Sequence, residues 1–198
     1  MSRRRVVVTG LGALAPNGND LYSFWAALLQ GRSGIGPITK FDPVDHRSKI
    51  AGELKDFDPE AAMDRKDVRR NDPFTHYAVN VARQAASHAG LDMEAVDPER
   101  VGVIWGSGIG GIQTHEEQHT ILMEKGPRRV SPFYVPMMIS DMAAGVISME
   151  LGAKGPNYAT VSACSSSAHA LGEAARKIQY DEADVMVSGG SEAAITSI

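Results

Sequence analysis

Ala163-Cys164-Ser165-Ser166-Ser167-Ala168 is the stretch on which the reading of the fold turns. Before it, Tyr158 to Ser162 is short and partly β-branched and reads as a strand. After it, Ser165 to Tyr180 is rich in Ala and long unbranched side chains and reads as a helix. The one cysteine of the chain therefore stands where a strand turns into a helix. The first turn of a helix carries unpaired N–H groups and the positive end of the dipole, and both favour the thiolate, the nucleophilic form of cysteine. The neighbours are Ala and Ser, so little bulk blocks the sulfur. One reading is a covalent acyl-thioester site. The other is a lone cysteine acting as a small buried hydrophobe.

Working outward, short apolar runs alternate with helical patterns. Arg4 to Thr9, ended by Gly10, predicts a buried parallel strand, and Val101 to Trp105 and Ala183 to Ser188 predict two more. Asn19 or Asp20 is placed to cap a helix in which Leu21, Phe24, Trp25, Leu28 and Leu29 recur at helical spacing and read as core, with Gly31 as its stop. Gly31 to Asp56 is turn-rich, with extended pieces around Phe41 and Ile50, and Pro59 to Met63 suits one helical turn. Asp72-Pro73 predicts a helix start, Phe74, Tyr77, Ala78, Val81, Ala85 and Ala89 its buried face, and Gly90 its end. A polar helix is expected from about Ile112 to Glu124, a loop over Gly126 to Pro136, and a helix from Asp141 to Leu151 closed by Gly152. Gly189-Gly190 reads as a turn. The Ser165 helix is small nearly all round at Ala168, Ala170, Leu171, Gly172, Ala174 and Ala175, which predicts packing between two layers. The whole is an α/β pattern with a mostly parallel sheet.

Bulk properties exclude several classes. The 198 residues suffice for one domain with a core, or for half of a double domain. Twenty Lys and Arg against 24 Asp and Glu leave a net charge of −4, with no basic balance to hold nucleic acid. A single cysteine forbids an intrachain disulfide and suits a reducing compartment. Ser2-Arg3-Arg4-Arg5 precedes only a short apolar run, too short for a signal-peptide core, and no stretch approaches a membrane span. The expected location is cytoplasmic.

Three matches carry less than they suggest. Gly106-Ser107-Gly108-Ile109-Gly110-Gly111 fits a dinucleotide-binding turn, but no strand ending in an acidic residue follows at the required distance. His115-Glu116-Glu117-Gln118-His119 fits a zinc-protease helix, but the segment is polar on nearly every side and reads as solvated, so no metal site is expected. His169 follows Cys164 by five residues, but helical geometry aims it away, and it reads as structural. Arg65-Lys66 and Arg69-Arg70 are spaced to line one helical face, either as a solvated surface or as a dock for an acidic partner, with Arg128-Arg129 as an extension.

The stretches Arg4 to Gly12, Gly106 to Gly111, Gly126 to Phe133, Ala163 to Ser166 and Asp184 to Gly190 are similar to those of the β-ketoacyl-acyl-carrier-protein synthases. Within them the chain resembles the type II elongating enzymes of bacterial fatty-acid synthesis. The resemblance implies a thiolase-like layered α/β fold, of which residues 1–198 are the first βαβαβ half, with the C-terminal half absent. It implies that Cys164 is the nucleophile that takes an acyl group from acyl carrier protein, with its own N–H in the oxyanion hole. Ile109, as a gate, and Tyr134 and Ala163 fall on acyl-pocket positions; Tyr134 stands where close relatives tend to have Phe. Lys66, Arg69, Arg70, Arg128 and Arg129 match the dock for acyl carrier protein in its acyl and malonyl forms. The resemblance also implies a homodimer and a decarboxylative Claisen condensation with no cofactor, whose histidines and lysine lie in the absent half. A polyketide ketosynthase and a non-catalytic carrier-binding fragment are the alternatives.

Overall fold

The computed structural model describes residues 4–198; Ser2 and Arg3 of the basic start lie outside them. Three parallel strands form the centre: β3 (Val101–Gly106), β4 (Asn157–Thr160) and β5 (Val185–Gly190), in the order β4-β3-β5. A separate antiparallel pair, β1 (Gly36–Pro37) and β2 (Ile50–Ala51), lies between α1 (Leu21–Leu29) and α2 (Arg65–Val68) in the chain. The remaining helices are α3 (Pro73–Ala89), α4 (Ile112–Lys125), α5 (Tyr134–Met138), α6 (Met142–Leu151) and α7 (Ser166–Gln179).

The period-two alternation of β3 sorts its side chains onto two layers. Val101, Val103 and Trp105 join Phe74, Ala78, Val79 and Ala82 of α3 and Ala143, Ala144, Val146 and Ile147 of α6 in one apolar cluster. Ile104 faces the other way, onto Ala170 and Ala174 of α7. Every residue of β3 is buried, as a central parallel strand covered on both faces should be.

The start of α3 is fixed by Asp72. Its carboxylate accepts the Phe74 N–H at 3.1 Å, as a cap, and also the Thr114 N–H and Thr114 Oγ1–H at 2.9 and 2.7 Å, so one buried acid joins α3 to α4. His76, one turn on, is buried with Nε2 2.9 Å from the Val68 carbonyl oxygen. Burial holds its pKa below the usual histidine value, against the opposing effects of that carbonyl and of Asp72. Gly90 ends α3 in the left-handed conformation with φ of 63°, as its position predicts.

Several expectations fail, each for a physical reason. Arg4 to Thr9 forms no strand. A β-branched run favours extended backbone, but a strand needs a ladder partner. This one makes none, and Val7 and Val8 stay exposed. It is tethered to the start of β5 by Arg4, whose guanidinium meets Asp181 and Asp184, the same carboxylates that Arg100 grips. The apolar face of α1 is not core: only Ala27 is buried, and Trp25, Leu28 and Leu29 are exposed. Its cap is Asp20, with Ser23 completing a capping box. Nor is α7 enclosed by two layers. Ser166, Ala170 and Ala174 are buried on the sheet, while Ala168, Leu171 and Gly172 on the opposite side are exposed. Part of the expected 126–136 loop is helical, because α5 begins at Tyr134. Gly189 and Gly190 close β5 rather than form a turn, and the early extended piece is at Gly36–Pro37, not at Phe41.

Candidate active site

The chain passes from β4 to α7 through Val161, Ser162 and a 3-10 turn at Ala163–Ser165, with Cys164 in its middle and exposed. Two glycines bring this turn onto the ends of the strands. A Cβ at Gly106 would lie 2.4 Å from the Ser166 carbonyl carbon, and one at Gly190 would lie 2.5 Å from Ser167 Cβ, so neither position admits a side chain. The first turn of α7 therefore presses directly on the carboxyl ends of β3 and β5.

Serines lock the turn. The Ser162 N–H donates to Ser166 Oγ at 2.9 Å, and that hydroxyl donates to the Ala163 carbonyl at 2.7 Å. Thr160 Oγ1–H donates to the Ser166 carbonyl at 2.8 Å. Ser162 Oγ and His169 Nδ1 lie 2.6 Å apart, so this ring is engaged by the segment that leads into the cysteine turn. Ala163 is left-handed with φ of 50°, a strained conformation for alanine, immediately before the sulfur. No hydrogen bond among the described residues uses the Cys164 N–H. No side chain caps α7. An exposed sulfur beside an unused amide and an uncapped helix start can attack a carbonyl and steady the oxyanion that results.

The facing wall is the turn after β3. A Cβ at Gly108 would lie 3.5 Å from Ala163 Cα and from its carbonyl oxygen, so Ile109, exposed in the same turn, stands beside the cysteine turn. The Gly111 N–H donates to the Met138 carbonyl at 2.9 Å, which brings α5 and Tyr134 to this end of the sheet. Tyr134 is half-buried, and its hydroxyl lies 2.6 Å from His115 Nδ1. Cys164, Ala163 and the turn that carries Ile109 thus meet at one end of the sheet, with Tyr134 on the helix behind. Two hollows elsewhere in the chain, of about 220 and 540 Å³, are lined by other side chains.

The basic residues are arranged differently from expectation. The helix carrying them stops at Val68, and Asn71 Nδ2–H donates to the Asp67 carbonyl at 2.9 Å beyond its end. The four cations therefore do not share a long helical face, because the chain must turn to restart at Asp72-Pro73. Arg65 is 3.6 Å from Glu60. Arg70 lies 4.9 Å over the ring of Phe133, close in sequence to Arg128 and Arg129 in the 3-10 turn Pro127–Arg129. The two basic stretches so approach each other at one loop. Lys66, Arg69, Arg128 and Arg129 are exposed and carry no ion pair among the described residues.

The discounted motifs have structural occupations. His115 and His119 stack with centroids 6.5 Å apart, and no group of three or more metal-ligating side chains occurs among the described residues. Two amides of the Gly106–Gly111 turn, those of Gly108 and Ile109, are taken by a residue that sequence reasoning missed. Glu192 accepts the Gly108 N–H at 2.6 Å. No local pattern marks an acid two residues past a strand as the partner of a turn 84 positions earlier.

The family model for the N-terminal domain of β-ketoacyl synthases matches residues 3–198. A 3-oxoacyl-[acyl-carrier-protein] synthase 2 from Synechocystis is 48% identical over 198 residues, covering 100% of this chain and 48% of the relative. The enzyme of the same name from Staphylococcus aureus strain COL is 51% identical over 193 residues, covering 98% and 47%. The chain spans about half the length of the curated relatives it matches. Among solved structures, the ishigamide ketosynthase/chain length factor superposes with a TM-score of 0.87 at 27% identity, over 96% of this chain and 47% of that one. A type II polyketide acyl-carrier protein in complex with its ketosynthase bound to the hexaketide gives 0.84 at 26%, over 98% and 53%.

Proposed function

This chain belongs to the β-ketoacyl synthase N-terminal domain family and has its thiolase-like α/β fold, and from that premise we propose that it is the acyl-accepting half of a fatty-acid elongation enzyme. The observation that carries the reading is the exposed Cys164, set at the start of α7 with its own N–H unused.

In the proposed reaction Cys164 Sγ attacks the carbonyl carbon of an acyl thioester borne by acyl carrier protein. The Cys164 N–H donates a hydrogen bond to the oxyanion of the tetrahedral intermediate. The carrier thiolate leaves, takes up a proton, and the acyl group stays on sulfur as a new thioester. The exchange is one thioester for another, so no cofactor is needed. Ile109, Tyr134 and Ala163 line the path of the acyl chain. Lys66, Arg69, Arg70, Arg128 and Arg129 receive the acidic carrier, where unpaired cations speed encounter and set orientation. Condensation with malonyl carrier protein requires donors for the enolate that remains after loss of carbon dioxide. In this reading those donors belong to a C-terminal half beyond residues 1–198, and the complete protein is a cytoplasmic homodimer. No helix among the described residues is long and apolar enough to cross a membrane.

The test is mass spectrometry of the complete protein after mixing with acyl carrier protein bearing an acyl group. The expected result is one acyl adduct, on Cys164, lost in Cys164→Ala; an adduct elsewhere, or none, overturns the reading. The likeness to polyketide ketosynthases favours a second reading, in which the acceptor chain is a polyketide. Comparing saturated acyl with polyketonyl thioesters in the same assay separates the two. Reversal of charge at Arg69 and Arg70 is expected to weaken carrier binding without altering alkylation of Cys164 by iodoacetamide. A chain that binds carrier but never acylates would be a docking unit alone.

A further inference from the structure

Glu192 stands two residues beyond the end of β5 and is exposed, a place where a carboxylate ordinarily points into water. Here it does not. Its Oε2 accepts the Gly108 N–H at 2.6 Å and the Ile109 N–H at 3.3 Å, and its Oε1 accepts Ser107 Oγ–H at 3.2 Å. Ser107 Oγ in turn accepts the Gly110 N–H at 3.0 Å. One acid and one hydroxyl thus hold four consecutive residues of the turn after β3. No salt bridge to Glu192 exists among the described residues, so its negative charge is directed at these amides. Charge-assisted bonds to amides are stronger than neutral ones.

The base of the clamp is rigid. Ser191 N–H donates to the Gly106 carbonyl at 3.1 Å, and Trp105 Nε1–H donates to Ser191 Oγ at 2.9 Å. Glu192 therefore projects from a fixed point, next to a strand whose register with β3 is set residue by residue. The turn it grips has Gly108 against Ala163 and presents Ile109 beside the cysteine turn. Glycine at 106, 108, 110 and 111 gives this turn little conformational preference of its own. Without an external hold, the position of Ile109 would be poorly defined.

We infer that Glu192 is a positioning residue that fixes the depth at which Ile109 stands beside Cys164, and so sets which acyl lengths the sulfur accepts. This rests on the proposed acylation of Cys164. It assigns discrimination to a carboxylate that touches neither the sulfur nor the acyl group.

The experiment uses the complete protein and measures acylation of Cys164 from short and long acyl thioesters in parallel, by intact-mass spectrometry. In Glu192→Ala the ratio of the two rates is expected to change about tenfold, the scale of one charge-assisted hydrogen bond. Glu192→Gln should restore most of it, because one amide oxygen can accept both backbone N–H groups. A residue that merely stabilised the fold would slow both substrates equally. Ile109→Ala supplies a second route that leaves the clamp intact. It should shift the same ratio, and adding Glu192→Ala in that background should then shift it little further. An unchanged ratio in Glu192→Ala, or full additivity with Ile109→Ala, overturns the inference while leaving acylation itself intact. Absence of any adduct on Cys164 in the unaltered protein overturns the functional reading and the inference with it.

Discussion

Trp25 and Phe74 are both aromatic, both sit on helices with apolar residues at helical spacing, and both look like core from sequence. Phe74 is 0% exposed and Trp25 is 58% exposed. The difference lies in what the helices meet. The apolar face of α3 is covered by α6 and β3, whereas the face of α1 that carries Trp25, Leu28 and Leu29 is exposed. Val7, Val8 and Leu171 are apolar and exposed in the same way. Helical periodicity therefore identifies a face that gains from burial, but not the element that buries it.

Phe74→Ala should have the largest effect, lowering the unfolding free energy of this chain by about 4 kcal/mol, as read from urea midpoints. Gly106→Ala should cost about 2 kcal/mol, since its Cβ would collide with backbone at the start of α7. That variant should also change the rate at which iodoacetamide alkylates Cys164; an unaltered rate would show that the strand ends do not position the turn. A smaller, pH-dependent effect belongs to His76. Burial holds its folded pKa below the value of about 6.5 expected when unfolded, so the unfolded chain binds more protons in that range. Its stabilising contribution is present above about pH 6.5 and is lost as pH falls toward the folded value. Midpoints measured from pH 7.5 to 5 should drop less in His76→Gln than in the parent chain. Trp25→Ala should have the smallest effect, within about 0.5 kcal/mol. A cost comparable to that of Phe74→Ala would mean that the outer face of α1 is covered in solution, and would erase the contrast.

What was legible in the sequence was local. The strand, cysteine and helix around Cys164 lie within one short run, and so do the Asp72-Pro73 start and Gly90 stop of α3. The expectation that Ile109 is a gate came only from family likeness, because nothing in a glycine-rich turn announces which side chain it presents. Long-range partners were not legible. Glu192 and Gly108 are 84 positions apart, and Asp72 and Thr114 are 42 apart. The basic residues show a further limit. Spacing joined Arg65 through Arg70 into one helix, but Asp72-Pro73 begins a new one so soon that the first ends at Val68. The Arg4 to Thr9 run failed for the reason that separates Trp25 from Phe74, a pattern with no partner.

The left-handed backbone at Ala163 has a consequence for how such a site adapts. A β-branched residue is all but excluded at that torsion. The wall next to the sulfur is therefore frozen by its own geometry. Under the proposed function, adaptation to bulkier or slimmer acyl groups would fall to side chains such as Ile109 and Tyr134 rather than to the backbone that presents the sulfur.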